Sequence, residues 1–210
     1  MRRRGFTLGE LVTTLGIVAI LVLLVGPGVS RARTRGSQAQ EAQCLSNLLA
    51  LDLAWLMYAE EWDQHTAPGQ IVKDGKVLNT WAGLLAPYAR DTHVFECPRY
   101  RTSQTYESSG RPQGYGLNTF VWGGVDLEVL AQPGEFINMG DDTSGVMDWG
   151  CGGGYSVPSD RHDGGANLAF ADGHVKWFPV EEVSFRDKGT HPDPPGRDYW
   201  RPKLVETATH

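Results

Sequence analysis

A run of uncharged residues near the amino terminus constrains this chain more than any other feature. Leu11–Ser30 is twenty residues without a charge, and within it Leu15–Val25 contains only Leu, Ile, Val, Ala and one Gly. A helix that crosses a bilayer core needs ~20 mostly apolar residues, and in lipid its backbone hydrogen bonds must be made internally. The sequence therefore predicts a transmembrane helix, which the basic cluster Arg2–Arg4 precedes.

Charge is divided unevenly along the 210 residues. Residues 1–40 hold six Arg and one acidic residue, which gives +5, whereas residues 41–210 hold thirteen Lys or Arg and twenty-four Asp or Glu, which gives −11. Because a nucleic-acid-binding protein needs a basic face, we expect no nucleic-acid partner for the acidic main part. The basic start beside an apolar run indicates a membrane instead.

Three kinds of amino-terminal segment fit this pattern. A cleaved secretory signal would suit the apolar run, but Val29-Ser30-Arg31-Ala32 is a poor small-x-small cleavage site. A twin-arginine export signal would use Arg3 and Arg4. The third kind is set by Glu10, because a carboxylate at the edge of a bilayer segment is costly and usually has a partner and a function.

The stretch Arg4-Gly5-Phe6-Thr7-Leu8-Gly9-Glu10, followed by an apolar helix, resembles the amino terminus of type IV pilins and type II secretion pseudopilins. The resemblance implies that a prepilin peptidase cleaves between Gly5 and Phe6 and methylates the new amino terminus of Phe6. It also implies that Glu10 neutralises the terminal amine of a neighbouring subunit, since a buried carboxylate and a buried ammonium each need the other. Pro27, between two glycines, is expected to kink the helix.

A second helical segment follows the apolar run. Residues 38–62 contain neither Gly nor Pro, and apolar side chains recur in steps of 4, 3, 4 and 3 at Cys44, Leu48, Leu51, Trp55 and Tyr58. This spacing predicts a helix with one face on a core. A coiled-coil seam is the alternative, although the pattern lasts only about two heptads.

The clearest pattern in the rest of the chain is a hairpin. Leu168 and Phe170 alternate with Asn167 and Ala169, Val175 and Trp177 alternate with His174 and Lys176, and Asp172-Gly173 lies between the two runs. This arrangement predicts two antiparallel strands joined by a two-residue type I′ turn. We also expect a short helix at 81–88 and strands at 115–122 and 135–139. The Pro-rich residues 186–210 are expected to be extended.

His162 is followed by nine residues and then Asp172-Gly173. This H-x9-DG spacing, together with Cys97-Pro98 and Tyr115–Asn118, is similar to that of prepilin-like proteins, and the similarity covers most of residues 1–178. It implies an α+β fold in which a long amino-terminal transmembrane and amphipathic helix packs on a small antiparallel-sheet head. The expected segments are a leader 1–5, a transmembrane and assembly helix 6–30, its amphipathic continuation 31–62, a head 63–185 and a tail 186–210.

Two groups of residues could carry chemistry in the head. A transition-metal or acid–base site could use His162, Asp163, Asp172 and His174, although Asp172 could equally shape the turn and His162 could hydrogen-bond to nearby backbone or to the hairpin. A Gly-rich region holds five acidic residues of the type that calcium prefers, but the usual D-x-D-x-D-G run is absent, and a solvated acidic loop is the alternative. These candidate calcium ligands are Asp141, Asp142, Asp148, Asp160 and Asp163.

The chain has three cysteines. Cys44 lies on the apolar stripe and Cys97 ends a short extended segment, so both could line one core, and we expect a disulfide between them because disulfides persist outside the cytoplasm. Buried free thiols are the alternative. Cys151 would be left over.

The resemblance implies a structural subunit and not an enzyme. Prepilin peptidase would process it, and it would assemble through its amino-terminal helix into a type II secretion pseudopilus or a type IV pilus-like filament. Expected partners are other pilin-like subunits and an inner-membrane assembly platform with its ATPase. The expected location is the bacterial inner membrane, single-pass, with the amino terminus cytoplasmic and the head periplasmic, then the cell surface or filament after assembly. The alternative is a membrane-anchored or twin-arginine-exported periplasmic binding protein or enzyme that uses the region of His162, Asp172 and His174.

Overall fold

The structure, a computed structural model, describes residues 8–142, 146–147, 158–183 and 203–205. Residues 1–40 and 41–210 form two compact units. Helix α1 (Leu8–Glu61) contains 54 residues and includes both segments that the sequence predicts to be helical. Side chains from Leu8 to Val22 are exposed, whereas the stripe from Cys44 to Tyr58 is buried.

The predicted transmembrane helix is wrong. In the part of the chain that the structure describes, no helix combines the length and the apolar character that a membrane span requires. A span needs ~20 predominantly apolar residues in succession. The single-pass inner-membrane location was predicted from this segment, and the same finding contradicts it.

The second unit is α+β, with the remaining helices short. A first hairpin pairs β1 (Gln70–Lys73) with β2 (Lys76–Thr80). A five-stranded sheet has the order β5-β3-β4-β6-β7. Its strands are β3 (Tyr115–Asn118), β4 (Ile137–Asp141), β5 (Val146–Met147), β6 (Gly165–Phe170) and β7 (Val175–Pro179), and the short helices are α2 (Trp81–Leu85), α3 (Tyr106–Ser109) and α4 (Val180–Val183).

The five-stranded sheet is antiparallel except at one edge. Strand β4 pairs antiparallel with β3 and β6, and β6 pairs antiparallel with β7, whereas the two-residue strand β5 runs parallel to β3. The central strands β3, β4 and β6 are buried along their whole length. Buried and exposed residues therefore do not alternate in these strands, and four polar side chains are buried with the apolar ones: Asn118, Asn138, Asp141 and Asn167.

Three Asp-Gly dipeptides make turns, but not all of the type that the sequence predicts. Asp74-Gly75 and Asp163-Gly164 both have positive φ at each residue (52° and 74°, 55° and 84°), as a type I′ turn requires. Among turn residues 171–174, in contrast, only Gly173 has a positive φ, of 95°. The Gly173 amide donates to the Phe170 carbonyl and the Phe170 amide donates to the His174 carbonyl. The β6–β7 connection is therefore a three-residue loop that closes on a glycine, and the predicted two-residue type I′ turn is wrong.

The core of the second unit forms on one face of α1. All five side chains of the predicted stripe are buried, and the side chain of Trp55 is completely buried. They pack with Phe95, Tyr115, Phe136 and Phe170 in one apolar cluster. Leu45 and Leu49, next to the stripe, remain 40% and 50% exposed, so the buried face of the helix is narrow.

One polar pair lies inside this core. Asp52 on α1 and Asn138 on β4 are both fully buried, and Asn138 Nδ2 donates to Asp52 Oδ1 over 2.6 Å. Neither Asp52 Oδ2 nor Asn138 Oδ1 has a hydrogen-bond partner among the described residues. Burial raises the pKa of Asp52 to about 7, the hydrogen bond from Asn138 opposes the rise, and the charge of Asp172 adds to it. Asp52 is therefore half protonated near neutral pH.

Candidate functional site: a buried histidine beside a disulfide

A tight turn places His162 at the entrance to β6. The His162 and Gly165 amides and carbonyls bond to each other across Asp163-Gly164, which closes a two-residue turn. Trp177 Nε1 donates to the His162 carbonyl over 2.8 Å and lies against Gly165, where a Cβ would come within 2.2 Å of the indole. Glycine is therefore required at 165, and the turn directs the imidazole of His162 into the protein, where it is completely buried.

Two carboxylates flank the buried imidazole. His162 Nδ1 lies 2.7 Å from Glu41 Oε1, and Nε2 lies 3.1 Å from Asp141 Oδ2. The first contact is short but its angle does not satisfy hydrogen-bond geometry, so we describe it as an ion pair. The imidazole is thus held between an acidic residue of α1 and one at the end of β4.

The two carboxylates decide the charge of His162. Burial by itself would lower the pKa of His162, because it penalises the charged form. The hydrogen bond and charge of Asp141, followed by the charge of Glu41, outweigh burial and raise the pKa of His162 above its ordinary value. A protonated imidazole between two carboxylates is a charge arrangement that a buried site tolerates, since each charge is paired.

Each carboxylate is in turn fixed by neighbours. Asp141 Oδ2 accepts from the Asn167 amide at 2.6 Å and from Asn167 Nδ2 at 2.9 Å, and Asp141 Oδ1 lies 3.2 Å from Arg161 Nη2. Glu41 Oε2 accepts from Arg99 Nη1 at 2.7 Å. The orientation of both acids is therefore set before any ligand binds.

A disulfide joins α1 to the segment that follows a short 3-10 helix, Thr92–Phe95. Cys44 and Cys97 are bonded, with Cα atoms 5.0 Å apart. Cys97 Sγ lies 3.6 Å from His162 Nε2, and the Tyr115 hydroxyl donates to the Cys44 carbonyl over 3.1 Å. The disulfide and the buried histidine therefore belong to one cluster.

Cys97 also lines a cavity of about 400 Å³. Its wall includes the buried Asn47 and Gln113 and the exposed Thr102 and Gln104, so the cavity opens to solvent. The Asn47 amide is already used, because Asn47 Nδ2 donates to the Glu96 carbonyl at 2.8 Å and Asn47 Oδ1 accepts from Gln43. Cys97 therefore borders the cavity, although only 3% of its surface is exposed.

The structure separates residues that the H-x9-DG motif brings together in sequence. Asp172 and His174 lie in the loop at one end of the β6–β7 hairpin, with His174 Nδ1 2.5 Å from Asp172 Oδ1. His162 lies at the other end, beyond six residues of β6, which at ~3.3 Å per residue is roughly 20 Å away. The three residues therefore do not form one acid–base or metal site.

The candidate calcium ligands are also dispersed. Asp141 is engaged by Arg161, His162 and Asn167, and the side chain of Asp163 is 80% exposed and bonds to Arg99. Within the described residues the aspartates do not gather into a group of three ligands. Asp148, Cys151, Gly5 and Phe6 lie outside the described residues; Pro27 falls inside the bounds of α1, but its side chain is not described.

Sequence reasoning missed the partners of His162. No motif or spacing in the sequence relates Glu41, Arg161 or Asn167 to the imidazole of His162. The one local signal for the position of His162 is the Asp163-Gly164 dipeptide directly after it, because Asp-Gly favours a two-residue turn with positive φ at both residues.

Neither protein-family models, nor curated proteins, nor solved structures give a match to this chain.

Proposed function

We propose that the protein is a prepilin-like structural subunit that assembles through the amino-terminal part of α1 with other copies of itself. One observation carries this proposal. Apolar side chains on every face of the helix between Leu8 and Val22 are at least half exposed. They are Leu8, Leu11, Val12, Leu15, Ile17, Val18, Ile20, Leu21 and Val22.

A helix that is apolar all round is stable only when it is surrounded. With 3.6 residues per turn, Leu11, Val12, Ile17 and Ile20 point in four different directions, so packing against one side of the protein would leave the others in water. A bundle of identical helices from neighbouring subunits covers all faces at once. Large exposed apolar surfaces of this kind mark interaction sites.

Glu10 would set the register of this packing. The resemblance places its carboxylate opposite the amino terminus that cleavage after Gly5 creates on Phe6 of a neighbouring subunit. A charge pair at the end of an apolar interface specifies register, because any other register leaves a charge unpaired. The proposed role is therefore structural, with prepilin peptidase as the processing partner.

Val18→Asp should abolish assembly of the processed full-length protein. Val18 is 56% exposed in α1, and burying an aspartate among apolar helices costs several kcal/mol, so we expect the assembled fraction to fall more than ~10-fold. Val77→Asp is the matched control, because Val77 on β2 is 55% exposed and lies outside the helix. Sedimentation velocity with negative-stain electron microscopy measures the result, and equal assembly by both variants would contradict the proposal.

Glu10→Gln separates processing from assembly. We expect amino-terminal sequencing to find Phe6 as the first residue in the parent and in the variant, because the cleavage site is unchanged. Assembly should weaken only in the variant, since the neutral amide does not pair with an ammonium. Glu60→Gln, at an exposed position near the other end of α1, serves as the control. A variant that assembles like the parent would remove the charge-pairing role.

A further inference from the structure

We propose that Cys44, Cys97 and His162 form a zinc site when the disulfide between the two cysteines is reduced. This site is independent of the proposed assembly role. One ligand atom from each of the three residues lies within 4.8 Å of the other two, and all three residues are buried. In the residues that the structure describes, this is the one group of three such side chains.

The spacing suits the metal. Zinc is bound tetrahedrally by thiolate sulfur at ~2.3 Å and imidazole nitrogen at ~2.0–2.1 Å, which places the sulfur and the nitrogen about 3.6 Å apart. Cys97 Sγ and His162 Nε2 are 3.6 Å apart. Nitrogen and two sulfurs are also a donor set that selects zinc over calcium or magnesium.

The second nitrogen of the imidazole has the partner that zinc-binding histidines use. Metal-bound histidines usually donate their other ring N–H to a carboxylate, which fixes the tautomer and the ring orientation. Here Nδ1 lies 2.7 Å from Glu41 Oε1, within donating distance although the angle is not yet that of a hydrogen bond, and Nε2 lies 3.6 Å from the sulfur and 3.1 Å from Asp141 Oδ2. Glu41 is itself held by Arg99 at 2.7 Å, so the imidazole is oriented before a metal arrives.

The three residues leave the fourth tetrahedral position open, because Asp141 is not among the ligand atoms that lie within 4.8 Å of one another. Asp141 Oδ2 lies 3.1 Å from Nε2 and carries the charge that a cation would neutralise. Two thiolates would neutralise Zn²⁺, and the charge of Asp141 beside the site is balanced by Arg161, whose Nη2 lies 3.2 Å from Asp141 Oδ1. The surrounding charges therefore accommodate the loaded site.

Conversion of the Cys44–Cys97 disulfide into two thiols, which the zinc site requires, is a two-electron reduction. The thiolate of a dithiol reductant attacks Cys97 Sγ, on the cysteine that borders the cavity, so that Cys44 leaves as a thiolate and a mixed disulfide forms. The second thiolate of the reductant then closes its own disulfide and releases Cys97. Binding of Zn²⁺ displaces the protons of both thiols and the Nε2 proton of His162.

The test uses full-length protein with Cys151→Ser, without a polyhistidine tag, so that no other thiol or added histidine contributes. A phosphine reduces the disulfide, becoming a phosphine oxide whose oxygen comes from water, and Co²⁺ is titrated anaerobically as a spectroscopic probe. We expect one equivalent of Co²⁺ to bind with a thiolate-to-cobalt charge-transfer band that Zn²⁺ removes. The oxidised protein should show no such band.

Matched variants identify the ligands. His162→Gln should remove stoichiometric binding, whereas His93→Gln should not, because the His93 side chain is 74% exposed and lies outside the group. Glu41→Gln should weaken metal affinity ~10–100-fold, as the loss of a histidine's carboxylate partner does elsewhere. A reduced parent that binds no Co²⁺, or that binds it without thiolate charge transfer, would overturn the proposal.

One further measurement covers the case in which His162→Gln fails to fold. X-ray absorption of the zinc-loaded parent counts the ligands directly, without any substitution. Two sulfurs with at least one imidazole nitrogen support the site, and a shell of oxygen and nitrogen alone overturns it.

Discussion

Replacing Cys44 and Cys97 together with alanine should lower the free energy of unfolding by about 4 kcal/mol. The two residues are separated by 53 positions, and closing a loop of this length removes that much conformational entropy from the unfolded chain, in the entropic account of disulfide stabilisation. Both cysteines also belong to the core cluster, so the loss adds to a packing defect. Urea denaturation without reductant and with a metal chelator measures the change.

Cys151→Ala is the control for the disulfide experiment. It removes a thiol but leaves the bond between Cys44 and Cys97, so its unfolding midpoint should stay near that of the parent. Both Cys44 and Cys97 are replaced, because replacing one of them alone would leave the other as a free thiol that could react with Cys151. A double variant within ~1 kcal/mol of the parent would show that the bond does not constrain the unfolded chain as proposed.

Asp52→Asn should stabilise the protein above neutral pH. It should also remove most of the decrease in the free energy of unfolding that the parent shows between pH ~4 and pH 7. The pKa of Asp52 is about 7 in the folded protein and 3.8 for an ordinary aspartate. Between these values the folded state holds a proton that the unfolded state has lost. Stability is therefore fully present below pH ~4, falls as pH rises through this window, and is lower by about 4 kcal/mol above pH 7.

The surroundings of Asp52 explain why an asparagine side chain suits position 52. A protonated Asp52 Oδ2 can donate a hydrogen bond, and both Asp52 Oδ2 and Asn138 Oδ1 have no partner in the described residues. The Nδ2 group of an asparagine supplies a donor at every pH without a buried charge. The variant should therefore keep the hydrogen bond that Asn138 donates and no longer incur the cost of ionisation.

Thermal or urea unfolding of parent and variant from pH 4 to pH 8 measures the difference curve, which isolates Asp52 from other titrating groups. Asp74→Asn is the matched control, since Asp74 is exposed in the β1–β2 turn and its φ of 52° suits asparagine. Carbon-13 NMR of the Asp52 carboxyl would locate its titration. A midpoint near 4, or difference curves that are equal for the two variants, would show that burial does not hold the proton.

Several elements followed from local sequence alone. The spacing from Cys44 to Tyr58 predicted the helix face on the core, and alternation around Asp172-Gly173 predicted the β6–β7 hairpin. The predicted strand at 115–122 ends at Asn118, whose side chain accepts from the Phe120 amide and begins a 3-10 helix. Turn type was missed because the same Asp-Gly dipeptide adopts a type I′ turn at 74–75 and a three-residue loop at 171–173.

The sequence by itself determined the periodic features of this protein, which are the buried stripe of α1 and the β6–β7 hairpin. These depend on contacts between residues a few positions apart, which a repeat of 3.6 or 2 records directly. The tertiary structure alone decided the surroundings of His162, because Glu41 and Asp141 come from distant parts of the chain and no periodic pattern relates them to it. Burial then determined the chemistry, since it separates the paired charges from water and brings two sulfurs and an imidazole within reach of one ion.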